Sequence, residues 1–407
     1  MNRILGAIAI AGSLLQPAVA AERVLPSTLP IPNFSLNGGF PHWKACRAAV
    51  KDNSSDCKIL FIGESTLTGL GALYGGTDMH SAAIANQLGT VLRSFGINAQ
   101  NYSLVGDSNA VSYHSFDARV TPNNWAASLV FTLGGKEWKA TDSSPFVFNP
   151  TDPAYPSLPK VETDSIDIYW NGVAAGGGTI TVDTGGSPIC SIDTNTGTSQ
   201  FNKTTCSTTL DANTYNIRCL TAFNCTFDII VARNSSTREV SIMNGSANGT
   251  TAINFNSDTG SPWDPLRAIQ KVAPSLCIVM NIGNDAYKQT SLADYGKALA
   301  AIVNACKRSN ADVLLMTGFP YGITVSPLTI EQYQAAIRQV AASTNVPVWD
   351  TLKTWGQASG PGETGWTSMG MNSGWNIACC GQKADVAHWS VANNVYAATL
   401  IAMMLLQ

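Results

Sequence analysis

Cys57-Lys58-Ile59-Leu60-Phe61-Ile62-Gly63-Glu64-Ser65-Thr66-Leu67 is the stretch that decides the fold. Its first six residues form a nearly continuous apolar run closed by glycine, which predicts a parallel strand buried on both faces. Beyond it Ala82, Ile84, Ala85, Leu88, Val91 and Leu92 recur at helical spacing until Gly96. That pattern predicts a helix over 79–95 followed by a strand over 97–105. The alternation resumes downstream with strand 276–281, helix 292–309, strand 312–317, helix 330–342, strand 346–350 and a terminal helix over 391–406. Strands and helices alternating at this spacing imply a parallel sheet covered by helices, an α/β fold.

Between the two halves the texture changes. From 116 to 259 Gly, Ser, Thr and Asn punctuate short alternating runs such as Ser165-Ile166-Asp167-Ile168-Tyr169-Trp170 and Thr179-Ile180-Thr181-Val182, which read as antiparallel strands. Further strands are expected over 127–133, 215–220, 227–232 and 240–243, enough for an inserted all-β sandwich. A stretch of about 140 residues without a core of its own would be exceptional inside a compact protein. The chain is therefore divided into 1–20, an α/β unit in two parts (21–115 and 260–407), and the insert 116–259, which is expected to be separable from the rest.

A chain of 407 residues is long for one hydrophobic core, so two units agree with its size. Acidic residues number 27 against 24 basic, with no long run of either sign; a nucleic-acid partner needs a concentrated basic footprint and is not expected. Arg3, the apolar run 4–15, Pro17 and Ala18-Val19-Ala20 read as a cleaved export signal, placing the protein outside the cytoplasm, secreted or periplasmic. That run is short of the ~20 residues a membrane span needs, and no later segment supplies one. Ten cysteines in an exported chain read as disulfides by default. Cys46/Cys57, Cys190/Cys206 and Cys219/Cys225 are close enough for local pairs, and Cys277 and Cys306 fall on an expected strand and helix. Cys379 and Cys380 are adjacent; the connectivity stays open. With no Cys-x-x-Cys pair and four histidines, neither a metal nor another cofactor is expected.

Ser65 lies just past the C-terminal end of the first strand, the edge at which open α/β sheets bind ligands. Leu67 stands two residues after it, so the Gly-x-Ser-x-Gly elbow is missing. A serine nucleophile needs a base within hydrogen-bond reach, and the candidates are His42, His80, His114 and His388. His388 follows Asp385 by three residues, at the lead-in to the terminal helix, where a carboxylate can hold the imidazole in its accepting tautomer.

These residues sit in blocks that resemble the SGNH (GDSL-type) hydrolases. Gly63-Glu64-Ser65 resembles the first block, Asn101-Tyr102-Ser103-Leu104-Val105-Gly106-Asp107-Ser108 the second, Gly283-Asn284-Asp285 the third, and Asp385-Val386-Ala387-His388 the last. The four occur in the family's order, across 36–115 and 260–407. Glu64 stands where the family has aspartate, and Ile282 where it has glycine. The resemblance implies a flavodoxin-like three-layer parallel sheet with Ser65 as nucleophile, His388 as base and Asp385 as its orienting carboxylate. It implies an oxyanion hole made by the backbone N–H groups of Ser65 and Gly106 and the side-chain amide of Asn284. Relatives with an inserted β-sandwich resembling a carbohydrate-binding module are often O-acetylesterases, so the expected activity is hydrolysis of short acyl esters on a carbohydrate. A lipase, a thioesterase or a catalytically silent carbohydrate-binding protein are the alternatives. Trp125, Trp138, Tyr169 and Trp170 are aromatic candidates for sugar contact, though strand aromatics more often pack inside.

Overall fold

The computed structural model describes residues 34–70, 79–108, 117–151, 160–318, 328–351, 354, 389 and 391–407. The first part of the chain forms β1 (Phe34–Ser35), α1 (Pro41–Lys51), β2 (Cys57–Gly63), α2 (Ser65–Thr68), α3 (Met79–Ala82), α4 (Ile84–Ser94), β3 (Ala99–Gln100) and β4 (Ser103–Val105). Ten strands follow: β5 (Val120–Thr121), β6 (Trp125–Thr132), β7 (Gly135–Ala140), β8 (Phe146–Phe148), β9 (Thr163–Gly172), β10 (Thr179–Asp183), β11 (Cys190–Asp193), β12 (Gln200–Asp211), β13 (Tyr215–Cys219) and β14 (Thr226–Arg233). The remainder is β15 (Val240–Asn244), α5 (Ala252–Phe255), α6 (Pro265–Val272), β16 (Leu276–Met280), α7 (Gly283–Tyr287), α8 (Leu292–Arg308), β17 (Asp312–Met316), α9 (Ile330–Thr344), β18 (Val348–Trp349) and α10 (Val391–Leu406).

One sheet runs in the order β1-β18-β17-β16-β2-β15-β3, parallel throughout except for the antiparallel edge strand β1. Strand β2 lies inside it, as its apolar run requires. Ile59 and Phe61 pack on one face with Trp43 of α1, Leu88 of α4 and Ile401 of α10. Leu60 and Ile62 pack on the other with Ile269 of α6, Ile302 of α8 and Ile337 of α9. Alternation along the strand thus feeds two cores, and both faces are dry. Disulfides pin a helix to each face: Cys46 of α1 to Cys57 of β2, and Cys277 of β16 to Cys306 of α8. The helices end where their chemistry says they should. The Ser291 hydroxyl accepts the Asp294 N–H at the start of α8, and Lys307 and Arg308 close its last turn.

The antiparallel strands form a five-stranded sheet, β11-β10-β13-β8-β5, and a six-stranded sheet, β12-β9-β14-β7-β6. Side chains from both enter one hydrophobic cluster, with Phe146, Ile180 and Ile217 from the first and Ile166, Ile168 and Phe227 from the second. The rings of Phe146 and Phe227 meet edge to face at 5.0 Å. Cys190–Cys206 connects the two sheets, and Cys219–Cys225 ties β13 to the residue just before β14. Trp125, Trp138, Tyr169 and Trp170 are all buried, so none offers a face to a ligand.

Three expected elements are corrected. The strand over 97–105 is two strands: β3 belongs to the parallel sheet, whereas β4 pairs antiparallel with β14. Residues 240–243, expected in the insert, are β15 of the parallel sheet, between β2 and β3. The alternation of Val240-Ser241-Ile242-Met243 imitates a half-exposed antiparallel strand, but Ser241 is buried with its neighbours. The helix over 79–95 is also broken, by an extended Ala83. The outer face of the six-stranded sheet contributes Tyr169, Phe201, Ile229 and Val231 to the same core as α6, α8 and α9, so the antiparallel region does not stand apart. Deleting 116–259 removes β15 and uncovers this core, and the deleted chain is expected to be insoluble or to lack a cooperative thermal transition. A soluble, cooperatively folded deletion would contradict the shared core.

Candidate active site

Ser65 opens α2 immediately beyond β2, at the C-terminal edge of the parallel sheet, and is half-buried. Its short helix is braced from the chain that leaves β15: Asn244 donates its side-chain amide to the Leu67 carbonyl at 2.8 Å, and the Thr68 hydroxyl lies 2.6 Å from Asn248 Oδ1. The residue before Ser65 makes the decisive contacts. Glu64 is buried, with Oε1 accepting the Gly283 N–H and Oε2 the Asn284 N–H, each at 2.8 Å. The carboxylate therefore fastens the first turn of α7 to the turn that carries Ser65. Asn284 is half-buried, and among the described residues its side-chain amide has no hydrogen-bond partner. Two of the expected site residues are thus brought to one place, by a side chain the motif comparison had marked as a departure.

The other departure is also accommodated. Ile282 is fully buried in the core beside α8 and faces Gly318. A Cβ at Gly318 would lie 2.3 Å from Ile282 Cγ2, so the glycine missing at 282 is matched by one at 318.

Gly106 is placed differently from expectation. Its φ of 58° is left-handed, which favours glycine, but its N–H donates to the Asp228 carbonyl at 2.7 Å. Val105 is paired with Ile229 of β14, and this bond extends the ladder by one step. The expected third oxyanion donor is engaged with the antiparallel region.

Asp385 and His388 lie outside the described residues, as do His114, Cys379 and Cys380. The two described histidines do not fit the role of base. His42 is exposed on α1, where Trp43 N–H meets Asp312 at the start of β17, the opposite edge of the sheet from Ser65. His80 is buried with Nε2 3.0 Å from Arg119 Nη2, and Arg119 is in turn ion-paired with Asp117 at 2.7 Å. Although burial opposes it, Arg119 and His80 draw the Asp117 carboxyl down to about 2, so it is a fixed charge that holds Arg119, whose guanidinium donates to the carbonyls of Asn101 and Ser103.

Asp285 follows Asn284 on the buried side of α7 and accepts the Ala252 N–H through Oδ2 at 2.8 Å. Burial, reinforced by the nearby Glu64 charge, pushes its carboxyl up to about 7.

The GDSL-like Lipase/Acylhydrolase family model matches residues 228–374. The chain carries a GDSL-like lipase/acylhydrolase domain. By that match it is a carboxylic ester hydrolase. The matched span holds Asn284 and the second half of the parallel sheet; Ser65 lies outside it and reaches the domain through Glu64. Comparison with curated proteins gives no match. Among solved structures, protein YXIM of Bacillus subtilis is similar over 68% of this chain and 85% of its own, at 13% identity and a TM-score of 0.32. The acetylxylan esterase Axe2 of Geobacillus stearothermophilus is similar over 41% and 73%, at 19% identity and a TM-score of 0.30. TesA is similar over 42% and 81%, at 19% identity and a TM-score of 0.29.

Two measurements check this geometry. Glu64→Ala leaves two buried N–H groups of the GDSL-like domain without an acceptor, and should cost about 2–4 kcal/mol in urea unfolding; Glu64→Asp, one methylene shorter, should fall between it and the parent. An unchanged midpoint in Glu64→Ala would refute the clamp. For Asp285 the folded-state value lies above the unfolded one, so its stabilising share is full below about pH 4 and is lost as pH rises through about 7. The loss amounts to about 4 kcal/mol at 1.36 kcal/mol per unit. The melting temperature of Asp285→Asn, which keeps an acceptor for Ala252, should therefore decline less than the parent's between pH 4 and pH 8. Parallel declines would show that Asp285 does not titrate in this range.

Proposed function

We propose that the protein is an exported serine esterase that removes short acyl groups, acetyl above all, from a carbohydrate. The observation that carries the reading is the Glu64 bridge, which holds Ser65 and Asn284 together at the C-terminal edge of a parallel sheet. Ser65 Oγ attacks the acyl carbonyl while His388 takes the hydroxyl proton and Asp385 keeps the imidazole oriented. The oxyanion that forms is met by the Ser65 N–H and the Asn284 side-chain amide, neutral donors fixed before the reaction starts. Gly106 contributes the turn and not a free donor. Collapse of the tetrahedral adduct expels the sugar hydroxyl, protonated by His388. Water, activated by the same imidazole, then releases the acid and restores Ser65.

Export is supported by the four disulfides among the described residues, bonds that persist in oxidising compartments, and by the signal-like residues 1–20. Among the described residues no helix is long and apolar enough to cross a membrane.

Ser65→Ala and His388→Ala should each abolish hydrolysis of 4-nitrophenyl acetate with little change in melting temperature, and the double variant should be no worse than either single one, because nucleophile and base act as one unit. Retained hydrolysis in Ser65→Ala would remove the mechanism.

A further inference from the structure

We propose that Tyr287 is the platform on which a sugar ring of the substrate rests while Ser65 attacks its acyl group, an inference that depends on the esterase reading of Ser65 and Asn284. Helix α7 turns one side to the core and one to solvent. Gly283, Asp285 and Ala286 are buried, Asn284 is half-buried, Lys288 just beyond the helix is exposed, and Tyr287 is 66% exposed. Asn284, Tyr287 and Lys288 stand at i, i+3 and i+4, so they share the outward side. The tyrosine therefore sits one turn beyond the oxyanion amide, an axial rise of about 5 Å.

The mount is rigid although the ring is exposed. Glu64 holds the N–H groups of Gly283 and Asn284, Asp285 holds Ala252, and Lys288 Nζ donates to the Gly249 carbonyl at 2.9 Å. These are the contacts that also fix Ser65 relative to α7, so a ligand lying on Tyr287 is registered against the nucleophile. Among the described residues the phenol hydroxyl has no hydrogen-bond partner, and Tyr287 is more exposed than any other large aromatic. An aromatic ring left in water forgoes the burial that usually repays its size. A pyranose presents a flat C–H face for the ring and hydroxyls for the phenol edge, and it carries its ester beyond the ring, toward Ser65. An acyl chain would gain from enclosure, which an open ring does not give. The four tryptophan and tyrosine candidates of the antiparallel sheets are buried, and among the described residues Tyr287 is the exposed aromatic on the helix that carries Asn284.

The test compares two acetates, one with a sugar ring (O-acetylated xylobiose) and one without (ethyl acetate), in the full-length parent, Tyr287→Ala and Tyr287→Trp. Tyr287→Ala should lower kcat/KM for acetylated xylobiose relative to that for ethyl acetate by roughly tenfold, the scale of one lost aromatic contact, and mainly through KM. Tyr287→Trp should restore the ratio. Deacetylated xylobiose should inhibit ethyl acetate hydrolysis less in Tyr287→Ala than in the parent. An unchanged ratio in Tyr287→Ala, or a parent that hydrolyses ethyl acetate but neither cleaves acetylated xylobiose nor is inhibited by xylobiose, would overturn the platform and leave the esterase reading standing. A parent that hydrolyses neither acetate would overturn both.

Discussion

Glu64 places a carboxylate out of solvent, where it accepts two backbone N–H groups from residues 219 and 220 positions further along the chain. A carboxylate is expensive to bury unless its oxygens are met, and one charge-assisted bond on each oxygen meets them. The same bonds give the start of α7 the acceptors that no earlier helical turn can supply. The extra methylene of glutamate over aspartate lengthens the reach across this gap. Ser65 and Asn284 are held in register by the Glu64 carboxylate that stands between them. A second carboxyl, Asp285, stands nearby, and its burial, with added repulsion from Glu64, raises its titration toward neutrality.

The antiparallel region is part of the same construction. The chain passes from β3 of the parallel sheet into β4, pairs there with β14, and after the antiparallel strands returns through β15 into the place beside β2. Arg233, itself half-buried, joins the units again, reaching Asp56 at 3.3 Å and the buried Asp167 at 3.2 Å. Because β15 then leads to the residues that brace α2, the antiparallel strands position Ser65 at one remove. Gly106 shows the opposite consequence: pairing with β14 commits its N–H to structure.

Much of the parallel sheet was legible because its strands are continuous apolar runs. β2, β16, β17 and the helices α8, α9 and α10 fall where periodicity puts them. Val240-Ser241-Ile242-Met243 was misread because a period of two cannot distinguish a half-exposed strand from one whose serine is covered by neighbouring elements. Helices α1 and α6 passed unnoticed, one rich in charged and aromatic residues and the other only eight residues long. In the site, motif spacing found Ser65 and Asn284, but what couples them was hidden in the residue that broke the motif. The signal was there: a lone carboxylate between a buried strand and a serine, in a chain with 13% charged residues, has to be paid for by donors from somewhere else.

The most direct measurement is a crystal structure of the protein after reaction with diethyl 4-nitrophenyl phosphate, whose phosphoryl group mimics the tetrahedral adduct. The account requires phosphorus bonded to Ser65 Oγ, with the phosphoryl oxygen within hydrogen-bond distance of the Ser65 N–H and Asn284 Nδ2, and Glu64 still holding the Gly283 and Asn284 N–H groups. Phosphorus on another residue, or a phosphoryl oxygen turned away from Asn284, would contradict it.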